Sequence, residues 1–119
     1  MENNAKENGA MNIHFIGVGG VSMSTLAAVS AKGGMTVTGS DRAPSAVTER
    51  LEESGIRVFC PQSAENLDKA GRIDRVVYTA AIPEDNPELK EARRRGIPCM
   101  RRSEYLGQLM KQYSVRIGV

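Results

Sequence analysis

The sequence predicts an α/β domain: a parallel sheet of about five strands, order 3-2-1-4-5, with helices on both faces. Three observations predict it. Short apolar runs alternate with helix-like periodicity along the chain from residue 12. The links between them are short, which for this alternation implies parallel strands joined by right-handed crossovers. A glycine cluster stands between the first strand and the first helix, at the edge where open α/β sheets take ligands.

The elements follow in order. "NIHFIG" (12–17) is an apolar run ending in glycine, a strand. "SMSTLAAVSAK" (22–32) sets Met23, Leu26, Ala27 and Ser30 at helical spacing, on small residues that pack close to a sheet. "MTVTGSD" (35–41) is a second strand closing on an acid, and "PSAVTERLEESG" (44–55) a helix with Val47 and Leu51 on one face. "IRVFC" (56–60) is a third strand, and the polar "PQSAENLDKAGRI" after it carries at most a short helix. "DRVVYTAAI" (74–82) is a fourth strand centred on Val76 and Val77. In "NPELKEARRRGIP" (86–98), Asn86 caps, Pro87 suits the first helical position, and Glu88 precedes Arg93–Arg95 as the helix dipole favours. "IPCM" (97–100) is a short fifth strand. "SEYLGQLMKQY" (103–113) shows Leu106, Leu109, Met110 and Tyr113 on one face, so Met110, like Met23, is expected in the core. "VRIGV" (115–119) reads as the opening of a sixth strand. The domain is therefore placed at 12–114, after a polar, disordered leader over 1–11.

Composition excludes several classes. At 119 residues the chain is one domain with a modest core. A net charge of +2 and 4% aromatics argue against nucleic acid as a partner. No apolar run reaches membrane-spanning length, and "MENNAKENGA" lacks the apolar core of a signal peptide. Cys60 and Cys99 lie far apart without CxxC spacing, as two reduced, partly buried thiols of a cytosolic protein would. No cluster has metal-ligand spacing, no GxxxxGK[ST] loop occurs, and the single histidine, His14, sits inside a strand as a packed or hydrogen-bonded residue.

The chemistry collects at strand ends. Gly17, Gly19 and Gly20 allow a tight turn and let backbone N–H groups approach phosphate oxygens at a helix start, where Ser22 and Ser24 can add hydroxyls. Asp41 lies about twenty residues further on, where an acid reaches a ribose hydroxyl, and Ser40 can assist. Thr79, Ala80 and Ala81 are small enough to let a ligand come close. Arg93–Arg95 reads as a solvated helix end; Arg101–Arg102 is either that or a phosphate or partner contact. The residues thus indicate a nucleotide-diphosphate-binding domain and leave the nucleotide open. A NAD-binding domain of an oxidoreductase or regulator is the alternative, although Ser22 stands where a dinucleotide fingerprint has its last glycine.

"IHFIGVGGVSMSTLA", "VTGSD", "VTERLEESGI", "SAENL", "AAIPEDNPEL", "GIPCMRRSEYLGQLM" and "RIGV" resemble, in order and spacing, the amino-terminal domain of the Mur ligase family over residues 11–119. The resemblance implies a Rossmann-like domain that holds the UDP part of UDP-N-acetylmuramate in the bacterial cytoplasm. The implied parent enzyme joins L-alanine to that substrate during peptidoglycan synthesis, using ATP and magnesium through an acyl phosphate. A central ATPase domain and a carboxy-terminal domain would then be the partners missing from this chain. The chain itself is expected to be a monomer that binds no cofactor and does not catalyse. Gly17, Gly19, Gly20, Val21, Ser22 and Met23 match the family's diphosphate loop, Asp41 the acid near the ribose, and Thr79–Ala81 the lining of the nucleotide cleft. Where the family often has Gly-His before "SAEN", this chain has Pro61 and Gln62; Gln62 can still bond a uracil edge.

Overall fold

A computed structural model of the chain describes residues 11–117. Five strands, β1 (Asn12–Ile16), β2 (Thr36–Ser40), β3 (Arg57–Phe59), β4 (Arg75–Tyr78) and β5 (Cys99–Arg101), form one sheet in the order β3-β2-β1-β4-β5, every pair parallel. The helices between and after them are α1 (Val21–Lys32), α2 (Ala46–Glu53), α3 (Glu65–Ala70), α4 (Pro87–Arg94) and α5 (Arg102–Ile117). Strand order reverses at β1, so the loops leaving β1, β2 and β4 share one edge.

Alternation along β1 divides the core in two. Ile13 and Phe15 face a cluster with Met23, Leu26 and Ala27 of α1, Leu51 of α2, and Tyr105 and Leu109 of α5. On the opposite face Ile16 joins Val76 and Tyr78 of β4, Leu67 of α3, and Leu89 and Ala92 of α4. Each large side chain fully buried this way contributes roughly 1.5–3 kcal/mol. Phe15 and Tyr105 meet edge to face with centroids 5.7 Å apart. The Tyr105 hydroxyl, buried with its ring, is satisfied by Ser30 of α1.

Local chemistry sets the helix starts. Ser45 and Thr48 form a reciprocal capping box at α2. Asn86 accepts from the amides of Glu88 and Leu89 at α4, with Pro87 in the first turn.

Four expectations change. The buried stripe of α5 is set by Tyr105 and Leu109, with Leu106 beside it; Met110 is 58% exposed and not core. The aromatic ring of Tyr105 reaches Phe15 and fixes the helix rotation, which turns Met110 outward; the Tyr113 side chain lies outside the described residues. Residues 115–117 are helical, not a sixth strand: adding one hydrogen bond per residue to a helix already formed outweighs the weak strand preference of Val and Ile. Residues 118 and 119 of that expected strand lie outside the described residues, as do residues 1–10 of the expected leader. Met11, placed in the leader by sequence, packs against the first core and accepts from Thr36 N at 2.9 Å. β4 ends at Tyr78 rather than running to 82, because the chain turns back with Ile82 N donating to Thr79 O.

β2 has no room for a side chain at Gly39. A Cβ there would lie 2.7–2.9 Å from the Cβ and both methyls of Val18. Gly39→Ala should therefore lower stability by about 1–3 kcal/mol. Gly107, inside α5 with open space around it, should gain up to about 1 kcal/mol on the same change. Urea unfolding of both variants measures the opposite signs.

Candidate functional site

The loop after β1 spends its first amides on its own chain. Gly17 turns with φ +85°, a conformation glycine adopts without strain, and the N–H groups of Gly17 and Val18 both donate to Ser40 O, at 2.8 and 2.9 Å. The Gly19 N–H donates to Asp41 Oδ2 at 2.8 Å. The α1 ladder opens with Ser24 N donating to Gly20 O, and Gly20 is the N-cap with no side-chain cap. The amides of Val21, Ser22 and Met23 thus stand ahead of the ladder, at the positive end of the helix dipole. Val21 and Ser22 are exposed, while the Met23 side chain belongs to the core and only its backbone faces the loop. Ser24 Oγ donates to Val21 O at 3.0 Å, so its proton is used within the first turn of α1 rather than offered to a ligand as expected.

The structure brings the glycine loop, Asp41 and the loop after β4 to one edge. A Cβ at Gly17 would lie 3.4 Å from Ile82 Cδ1, which shows how closely the loop holding Thr79, Ala80 and Ala81 approaches. Thr79 Oγ1 accepts from Ala81 N, and Ala80 and Ala81 are exposed. Asp41 links the β1 and β2 loops, because its other oxygen accepts from Arg42 N at 2.7 Å.

Two of the predicted contact residues have partners within the protein. Ser40 is fully buried on the face opposite Phe15, and its hydroxyl donates to Glu88 Oε1 at 2.7 Å. Gln62 Oε1 accepts from Asn86 Nδ2 at 3.1 Å, which ties the loop after β3 to the start of α4. Both have local partners that a linear reading does not show.

Those partners belong to a buried cluster around Glu88, which is 0% exposed. Oε1 accepts from His14 Nε2 at 2.7 Å and from Ser40. Oε2 accepts from Ser63 N at 3.0 Å and Asn66 Nδ2 at 2.6 Å. A carboxylate has about four acceptor positions, and all are filled. His14 Nδ1 lies 2.8 Å from Thr38 Oγ1, so this strand residue is hydrogen-bonded on both nitrogens. In the sequence Glu88 reads only as a first-turn acid. The available signal was alternation: His14, Thr38 and Ser40 fall on one sheet face, a polar patch in need of a buried partner.

The cysteines offer no activated nucleophile. Both are free and partly buried, and burial pushes both thiols up. Among the described residues no group of three or more His, Cys, Asp or Glu is placed to hold a metal, and no helix is long and apolar enough to cross a membrane. At the end of α4, Arg93 pairs with Glu84, Arg94 with Glu91, and Arg95 with both Glu91 and Asp68, on the surface.

Sheet order, glycine loop and strand-end acid together define a Rossmann-like domain with the start of α1 at its switch point. Residues 12–114 match the family model described as "Mur ligase family, catalytic domain". The chain belongs to the Mur ligase family. It is 51% identical over 108 residues to a UDP-N-acetylmuramate–L-alanine ligase of Clostridium beijerinckii, covering 89% of this chain and 23% of that protein. The corresponding ligase of Acetivibrio thermocellus is 46% identical, with 91% and 22% covered. The solved structure of the UDP-N-acetylmuramate–alanine ligase of Thermotoga maritima superposes with a TM-score of 0.81 at 36% identity, over 86% of this chain and 23% of that one. The chain thus spans less than a quarter of the length of these relatives.

Burial alone raises the Glu88 pKa, but the His14 hydrogen bond and charge, with the Ser40 and Asn66 hydrogen bonds, outweigh it and hold the carboxyl below the ordinary glutamate range. A depressed folded-state value gives stability that is complete above the unfolded pKa of about 4.3 and is lost as pH falls through the folded value. Glu88→Gln sets an amide donor against donors and should cost about 3 kcal/mol near neutral pH. Unfolding measured between neutral pH and acid should show that gap narrowing as the wild type loses its ionised carboxylate.

Proposed function

We propose that this chain is the substrate-binding part of an ATP-dependent ligase that joins L-alanine to UDP-N-acetylmuramate in peptidoglycan synthesis, and that it holds the UDP moiety. The observation that carries the reading is the start of α1. Gly17, Val18 and Gly19 have internal acceptors, and the next amides, from Val21 to Met23, stand ahead of the helix at the sheet's switch point. The relatives named above act, by their names, on UDP-N-acetylmuramate and alanine. The dinucleotide-binding oxidoreductase alternative receives no support from them.

In this reading the diphosphate rests on the amides of Val21, Ser22 and Met23, with the Ser22 hydroxyl beside them. Gly19 and Gly20 keep side chains out of its path. Asp41 retains acceptor capacity toward a ribose hydroxyl while it holds Gly19, and Thr79–Ala81 line the cleft. Ser40 and Gln62 support the site from beneath through Glu88 and Asn86.

ATP and magnesium do not fit the residues described here: the sequence has no GxxxxGK[ST] loop, and no acidic cluster is placed for a metal. They go with the remaining three quarters or so of a relative's length, as do the central ATPase and carboxy-terminal domains. The chain on its own therefore binds without ligating, in the cytoplasm where nucleotide-linked precursors are made.

Calorimetric titration with UDP-N-acetylmuramate, UDP and NADH tests the reading. The UDP ligands should bind more tightly than NADH; the reverse order would overturn it. A Cβ at Gly19 would collide with Asp41 Oδ2. Gly19→Val should thus break the Gly19–Asp41 link, crowd the loop and weaken UDP binding at least about tenfold, or 1.4 kcal/mol.

A further inference from the structure

The proposed site has an electrostatic conflict at its centre. The Asp41 carboxylate sits on the glycine loop itself, 2.8 Å from the Gly19 nitrogen. A diphosphate on the neighbouring amides brings more negative charge toward it, and half a unit of positive charge at a helix start does not balance both.

The cleft beside the loop is lined by Gly19, Asp41, Arg42, Ala43, Pro44 and Ser45. Arg42 is the one cation among these six. Its backbone N–H donates to Asp41 Oδ1 at 2.7 Å, so residue 42 is fixed next to the carboxylate. Its side chain is exposed, and among the described residues its guanidinium makes no hydrogen bond or ion pair. Arg93, Arg94 and Arg95 all spend their charge on acids. A guanidinium left unpaired beside a carboxylate that has turned to backbone amides is available to an incoming anion. Its planar fork suits phosphate oxygens, which an ammonium meets only as a point charge.

We infer that Arg42 is a specificity-determining residue that grips the diphosphate of a nucleoside-diphosphate ligand and offsets Asp41 in the same cleft. This rests on the proposed function and adds to it the residue that separates a diphosphate ligand from a bare nucleoside. Asp41 then orders the loop and faces the ribose, and Arg42 closes over the phosphates from the β2 side.

The test is an NMR titration of wild type, Arg42→Ala and Arg42→Lys with UDP and with uridine, at low and at physiological salt. Arg42→Ala should weaken UDP about fivefold to twentyfold, the size of one charge-assisted contact, and leave uridine unchanged within about twofold. Arg42→Lys should recover part of the loss, and the fall in UDP affinity with salt should flatten in Arg42→Ala. Because the side chain is exposed, the unfolding midpoint should stay with the wild type. Wild-type binding of UDP with no loss in Arg42→Ala, or an equal loss of UDP and uridine, would overturn the role of Arg42 alone. No binding of UDP by the wild type would overturn the inference together with the function beneath it.

Discussion

The buried carboxylate of Glu88 is the interaction on which the arrangement of this edge depends. A charge taken out of water is costly unless its partners saturate it. Here the partners come from different places: His14 on β1, Ser40 on β2, Ser63 in the loop after β3, and Asn66 on α3. Glu88 itself sits in the first turn of α4, whose capping residue Asn86 also holds Gln62. Any shift of these elements leaves a donor or the charge without a partner inside the protein. The cluster thereby fixes where β1 and β2 end, and so where the glycine loop and Asp41 stand.

The loop above that cluster divides its amides between two uses. Ser40 links the two levels, since its hydroxyl serves Glu88 below and its carbonyl receives Gly17 and Val18 above. Asp41 takes Gly19. What the loop offers outward begins at Val21, one turn into the motif rather than at the glycines themselves. The glycines make the turn possible and keep its surface clear, and the helix start supplies the attraction. Membership of the Mur ligase family gives this geometry its proposed ligand, and the unpaired Arg42 guanidinium next to Asp41 is the group proposed to balance its charge.

Much of this was legible in the sequence because the signals are local. Alternating strands and helices fixed the sheet order, small residues marked the face of α1, and Asn86–Pro87 marked the start of α4. The glycine loop and the acid at the end of β2 stand where a strand–turn–helix pattern places them. What could not be read depends on distant contacts. Glu88 looked like an acid complementing a helix dipole, and its partners lie 74, 48, 25 and 22 residues away. Ser40 reads in the sequence as free to meet a ligand, yet its hydroxyl belongs to that cluster, and Gln62 Oε1 accepts from the capping residue Asn86. The face of α5 is not decided by spacing alone, because Leu106 and Leu109 fit a buried stripe with either Met110 or Tyr105 beside them. The fit of Tyr105 against Phe15 and Ser30 chooses between them.

The most direct measurement is amide chemical-shift mapping of the 15N-labelled chain as UDP-N-acetylmuramate is added. If the diphosphate rests on the start of α1, the largest shifts fall on Val21, Ser22 and Met23, with smaller ones at Gly19, Asp41 and Thr79–Ala81. The groove between α1 and α2, lined by Ala28, Val29, Val47 and Leu51, stays unchanged. Shifts concentrated in that groove, or none at residues 17–24, would contradict the placement of the ligand on this loop.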